Sequence, residues 1–360
     1  ASGVVVSSGE PAMKVDGFRY FQGGHPYPTA GSFAGADAAL ELARNLEADD
    51  TVVFLISGGG SAMLEKPCFP GISLDDMANL NRVLVGAGVP IEEMNVIRKH
   101  LSAVKGGRLG QEAYPTAQLT IYISDVPEQF PSMVASGPTL PDESTLEKCY
   151  ELLERHKLTA KLPEAIRSVI EARNLQETPK AGDERLGKSK HFCLLSNRDA
   201  VQAALHAART FGFRAEIDTG DWDSDYRKVG DGVAARLEKL VSRYPGVPVC
   251  LVLGGEVTCP VTGPGSGGRN QAFVLNLVSR IAGRRRVVLS AGTDGTDGNS
   301  PAAGALADGD TLGRAEALGL DAEKLFQASD SYHFFAPLGD ALETGPTDNN
   351  VRDLRLLMAF

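Results

Sequence analysis

Short apolar runs alternate along nearly the whole chain with longer stretches in which apolar positions recur every three or four residues. A short run bounded by turn residues reads as a strand and a 3.6-residue period as an amphipathic helix; their alternation reads as a parallel sheet covered by helices. The pattern predicts strands over 4–7, 51–57 and 119–124, with helices over 31–46, 74–85, 91–104 and 146–155. The polar stretch 175–190, punctuated by Pro179, Gly182 and Gly187, reads as a linker. Beyond it the alternation restarts, with strands over 191–196, 247–254 and 286–291 and helices over 198–211, 226–243 and 271–282. The expected class is α/β with two domains, 1–185 and 186–360, each a mostly parallel sheet with flanking helices. A chain of 360 residues exceeds what one core usually serves.

Charge narrows the partners. A formal charge of −10 excludes a nucleic-acid or anionic-membrane surface, since the long-range field repels polyphosphate. An anionic ligand then needs a local basic pocket. Five cysteines, odd in number, widely spaced and never in a C-x-x-C pair, suggest neither a disulfide framework nor a zinc site. No apolar run approaches a membrane span and no basic-then-apolar leader opens the chain, so a cytoplasmic enzyme is expected. The chain starts without an initiator methionine and runs straight into Val4-Val5-Val6, a strand entered in mid-fold, so an upstream segment is expected.

In parallel α/β sheets, ligands bind beyond the carboxyl ends of the strands. Here apolar runs end repeatedly in polar residues: TVVFLIS leads into Ser57, Gly58, Gly59, Gly60 and Ser61, LTIYIS into Asp125, HFCLLS into Asn197, PVCLVLGG into Glu256 and RRVVLSAGT into Asp294. Each could simply cap the helix that follows. Their repetition suggests one shared site. The three glycines of 57–61 free the backbone to wrap an anion with its amides, although no G-x-x-x-x-G-K-[ST] loop occurs.

A second cluster, 263–269, satisfies G-x-G-x-x-G only formally, because Pro264 and Gly267 are unusual there and the acidic residue expected about 20 positions on is missing. It reads as a flexible loop delivering Arg269, with Asn270 beside it, to a carboxylate or phosphate. With the segment 95–108 placed on a helix, Arg98, Ser102 and Lys105 share one flank, a basic ridge that is either solvated or part of an anion pocket. Asp294 and Asp297 lie in a glycine-aspartate turn too short of ligands for an EF-hand; beside a phosphate they suit Mg²⁺ or base catalysis. The candidate catalytic residues are thus Arg269, Asp294 and Lys105, the metal ligands Asp125 and Asp297, and the binding residues 57–61, Arg98, Asn197, Glu256 and Asn270. His25 stands out in a rigid Gly-His-Pro turn.

With these segments in hand, the chain resembles the glycerate 2-kinases of the MOFRL-domain type. The motifs are GGHPYPTAGS (23–32), LISGGGSAM (55–63), NVIRKHLSAVKGGRL (95–109), ISDVP (123–127), ASGPT (135–139), LGGE (253–256), GSGGRNQ (265–271), AGTDGTDG (291–298), SDSYHFF (329–335) and TGPT (344–347), in family order. The resemblance implies a Rossmann-like first domain lacking its opening segment, which in the family carries a lysine, a second domain of MOFRL type, and a ligand cleft between them. It also implies ATP-dependent phosphorylation of D-glycerate at the 2-hydroxyl, with Mg²⁺. Thr29, Glu128-Gln129-Phe130, Val257 and Pro301 depart from the family pattern. Two other readings stay open: an NAD(P)H-dependent hydroxypyruvate reductase and a non-catalytic small-molecule-binding relative. The partners expected are glycerate and a nucleotide, and a homodimer is left open.

Overall fold

The computed structural model describes the chain from Ala1 to Phe360 apart from Ala12 and Asp221. Val4-Val5-Val6 forms β1 (Gly3–Ser7), which pairs in parallel with β2 (Phe18–Gln22). Helix Ala30–Arg44 packs on this pair through Gly35, where a Cβ would come within 2.6 Å of the Val6 side chain. The next run gives β3 (Thr51–Ile56), parallel to β4 (Ala117–Ile123), with β5 (Ser189–Leu195) on the far side of β4. Helices Leu74–Gly86, Ile91–Leu101, Leu146–Arg155 and Glu164–Glu171 close over a core of Met77, Leu80, Ile97, Leu152 and Ile166. These elements make a first compact unit, Ala1–Leu194.

The stretch 175–190 is not a free linker. Leu175, Thr178 and Leu186 are buried, Pro179 accepts the Asp142 amide, and Thr178 donates to the Asp142 carboxylate. Its polar composition serves a buried acid inside the first unit. β3 also differs from a strand covered on both faces, because Val53 and Leu55 are exposed.

The second unit, Leu195–Phe360, contains a six-stranded sheet. Its strands are β6 (Arg214–Ile217), β7 (Val249–Leu253), β8 (Arg286–Gly292), β9 (Gly304–Asp308), β10 (Ala341–Leu342) and β11 (Asp353–Ala359), in the order β10-β9-β8-β11-β7-β6. The α/β class stands, but only β6 and β7 pair in parallel here; the other neighbours are antiparallel. The final strand enters between β7 and β8, and β9 folds straight back on β8, so neither needs a crossover helix. Phe273, Val274 and Leu277 of helix Arg269–Ile281 pack on Leu251, Leu253, Val288 and Leu357 of the sheet. No helix among the described residues is long and apolar enough to cross a membrane.

Candidate active site

β3 and β4 are in parallel register, Ile56 opposite Tyr122, so the residues that follow each strand emerge at one edge. The loop beginning at Ser57 meets Asp125 there: a Cβ on Gly58 would stand 2.2 Å from Asp125 Oδ2. Gly59 has φ +78°, a left-handed conformation that glycine adopts freely. The N–H groups of Gly58, Gly59, Gly60 and Ser61 donate to no acceptor among the described residues. The sequence thus builds four open amides beside one carboxylate. His25 lies next to this loop, its Cδ2 3.6 Å from where a Gly59 Cβ would be.

The loop rests on the ASGPT segment. Ala135, Ser136 and Gly137 have φ of 49°, 59° and 60°. For the two non-glycine residues this costs about 1–3 kcal/mol each, so the surroundings must enforce it. They do: Gly106 N, Gly107 N and Gly110 N donate to the carbonyls of Ser136, Gly137 and Pro138 at 3.0, 2.7 and 3.1 Å. Ser136 Oγ, 2.7 Å from Ser61 Oγ, donates in turn to Asn95 Oδ1.

The 95–109 motif is therefore a buttress, and its cations are largely neutralised within the fold. Its helix ends at Leu101, leaving Ser102 extended. Lys105 is buried and paired with buried Glu65; burial pushes its ammonium below the ordinary range, against the pull of Glu65. Lys99 pairs with Asp142 at 2.9 Å. Burial drives that carboxyl up, but the Lys99 charge and hydrogen bonds from Ser144 and Thr178 hold it below its usual value. Arg98, half-buried, donates to Asn81 at 2.7 Å, and burial lowers its pKa.

In the second unit the polar centre is Asp353, fully buried at the start of β11. Arg269 grips it as a fork, Nε to Oδ2 at 2.8 Å and Nη2 to Oδ1 at 2.9 Å, while its Nη1 meets Glu256 at 2.9 Å. Burial alone would lower the Arg269 pKa, but these carboxylates outweigh it and raise it. Buried Arg355 also donates to Asp353, at 3.1 Å. Glu256, pushed up by burial against the Arg269 charge, faces Arg352 as well. Asn197 ties the strand ends together: its Nδ2 donates to the carbonyls of Val351 and Asp353, and its Oδ1 accepts from Gly255 N. Asp294 Oδ1 accepts from Thr296 N within its own turn and, with Asp353, lies against Gly292.

Asp297 is buried over the first turn of helix Arg269–Ile281, accepting the amides of Asn270 and Gln271 at 3.0 and 2.9 Å. Burial raises its pKa and those amides oppose the rise. The glycine loop before this helix is tied down too. Gly265 N donates to Ala328 O, Ser266 N to Asp330 Oδ1 and Gly267 N to Asn299 Oδ1.

Comparison with known proteins decides the family. A family model described as a domain of unknown function (DUF4147) matches residues 1–171, and the MOFRL family model matches residues 249–353. A D-glycerate 2-kinase from Thermotoga maritima is 37% identical over 98% of this chain and 83% of that protein. The chain belongs to the glycerate 2-kinase family. A crystal structure of glycerate kinase from Thermotoga maritima superposes with a TM-score of 0.88 at 36% identity, covering 100% of this chain and 85% of that one. A relative named putative hydroxypyruvate reductase, from Agrobacterium vitis, is 38% identical over 99% of this chain and 81% of its own length.

Within this kinase family member, the residues predicted from sequence fall into two groups. Ser57, the glycines 58–60, Ser61 and Asp125 gather in the first unit; Asn197, Glu256, Arg269 and Asp294 gather around Asp353 in the second. Lys105 and Asn270 are not open to a ligand. Lys105 is held by Glu65, and Asn270, fully buried, spends its side chain on Asp297, Asp353 and Ser290. Arg269 is the first residue of a helix rather than the tip of a flexible loop. The expected basic ridge of Arg98, Ser102 and Lys105 does not form, because Ser102 leaves the helix.

Sequence reading missed Glu65, Arg352, Asp353 and Arg355. A signal existed in β11: Asp353 and Arg355 occupy the same alternate positions as Leu357 and Ala359, so two charges sit on the inward face and require each other. Among the described residues no three His, Cys, Asp or Glu side chains are grouped to hold a metal ion.

Proposed function

We propose that this chain transfers the γ-phosphoryl group of ATP to the 2-hydroxyl of D-glycerate, giving 2-phosphoglycerate and ADP. Family membership over nearly the full chain supports the reaction, and the open amides of 58–61 beside Asp125 are the observation that carries the site. Such amides suit a carboxylate or phosphate group. Phosphoryl transfer is catalysed mainly by positioning and charge neutralisation, so a rigid cradle is the part it needs most.

Mg²⁺ usually takes one or two protein carboxylates and completes its shell with water and phosphate oxygens. Asp125 fits such a role. Asp297 fits poorly, since both of its oxygens already accept helix amides. A bound Mg²⁺ would neutralise phosphate charge. Asp294 takes the proton of the reacting hydroxyl, Arg269 supplies fixed positive charge, and Arg98 and Glu256 contact the bound molecules. Lys105, Asn197, Asn270 and Asp297 act as positioning residues.

The reductase reading is weakened by the second glycine loop, whose amides at 265–267 are bonded internally and cannot cradle a pyrophosphate. The test is ADP release driven by D-glycerate, with the product's phosphate position read by ³¹P–¹H NMR. NADH consumption with hydroxypyruvate, without ADP release from glycerate, would replace this reading by the reductase.

A further inference from the structure

A cavity of about 500 Å³ lies wholly within the second unit, away from Asp353 and its arginines except at its Arg269 edge. Its floor is apolar: Tyr226, Val257 and Leu275 are all at most 5% exposed. Phe326, 5.9 Å from the Tyr226 ring centre to centre, and Ala272 of helix Arg269–Ile281 also line it. The run 257–261 also lines it. Within that run, the N–H and C=O of Cys259 and of Val261 enter no hydrogen bond among the described residues. At the rim, Asp330 spends Oδ1 on Ser266 N and His333, while Oδ2 accepts no hydrogen bond among the described residues.

We propose that this slot holds the adenine nucleoside part of the nucleotide, an inference that rests on the kinase reading above. The volume falls within the range of about 300–1,000 Å³ usual for small-molecule sites. A flat apolar base suits a floor of aromatic and branched side chains, with few polar groups fixing its orientation. An unpaired N–H and C=O on one short run match the acceptor ring nitrogen and donor amino group along one edge of adenine. The free Asp330 Oδ2 is the acceptor for a ribose hydroxyl. The polyphosphate is left to groups outside the slot, because the loop amides at 265–267 are occupied. The second unit thereby selects the nucleotide through its base, and guanine, which reverses that donor and acceptor edge, is rejected.

The test uses the full chain and has two arms. In the first, iodoacetamide labelling of Cys259 is followed by peptide mass spectrometry with exposed Cys193 as reference. ADP at saturation should slow labelling of Cys259 about tenfold or more, since only the free protein reacts, while inorganic triphosphate should leave it unchanged. In the second, Ala272→Leu fills the slot. Overpacking at this level should raise the calorimetric Kd for ADP and the KM for ATP about tenfold, with the KM for D-glycerate changed less than about twofold.

ADP that binds without protecting Cys259 overturns the slot, as does unchanged ADP affinity in a variant with wild-type circular dichroism. Either result leaves the kinase reading intact. Absence of glycerate-dependent ADP release in the wild type defeats the kinase reading instead, and the labelling arm, which needs no turnover, still decides whether the slot takes a nucleoside. Failure of ADP to bind at all overturns both.

Discussion

Two glycine-rich loops of similar composition do opposite things. In 57–61 the amides of 58–61 are left open, a carboxylate stands against Gly58, and the strain lies in the segment beneath, at Ala135 and Ser136. In 263–268 every amide from Gly265 to Gly267 has an internal acceptor, and the Arg269 that follows is spent on Asp353. One loop keeps its amides open; the other holds three distant chain segments together. Glycine content alone therefore does not identify an anion cradle. What distinguishes the two is where the backbone hydrogen bonds go, since an amide without an acceptor in the protein is left to water or to a ligand.

The largest expected effect is on the tied region. Asp353→Ala leaves Arg355 buried and Arg269 without its fork, so stability should fall by about 3–5 kcal/mol. Urea denaturation followed by circular dichroism measures this. A loss below about 1 kcal/mol, typical of a surface pair, would mean that the second loop is not anchored as described.

Next comes the open loop. Gly58→Ala would force Asp125 and the loop apart, and a displacement near 1 Å costs about a hundredfold in rate where positioning is the mechanism. Glycerate-dependent ADP release should drop by that order in kcat/KM. Near-normal kinetics would show that neither Asp125 nor the 58–61 amides touch the reaction.

The smallest effect compares the loops directly. Each internal hydrogen bond is worth about 1 kcal/mol, enough to slow amide exchange about tenfold or less. Hydrogen exchange read by NMR should be slow at Gly265, Ser266 and Gly267 and near the unprotected rate at Gly58 to Ser61. Equal protection in both would erase the distinction.

Much of this was legible in the chain. Helices at 146–155 and 226–243 match the observed Leu146–Arg155 and Tyr226–Arg243, because their apolar period is regular and Thr145 and Asp225 cap them. The polar strand ends at Ser57 and Asp125 do adjoin, as a parallel pair requires. β9 and β11 escaped notice for physical reasons: GALAD is too small and mixed to look like a buried strand, and two charges interrupt the apolar side of DLRLLMA. The fate of Lys99 and Lys105 was hidden as well. A cation's partner is set by tertiary contact, and Asp142 and Glu65 lie some 40 residues away from them.

The left-handed turn at 135–137 bears on synthesis. Gly58 and its neighbours leave the ribosome well before Ala135, and the acid that pairs with Lys99 is in turn held by Thr178. Until some 80 further residues have emerged, the nascent loop has nothing to rest on, so a truncated product would carry the glycine motif in full and still lack its support. Support for the loop is thus a late event in the life of the chain.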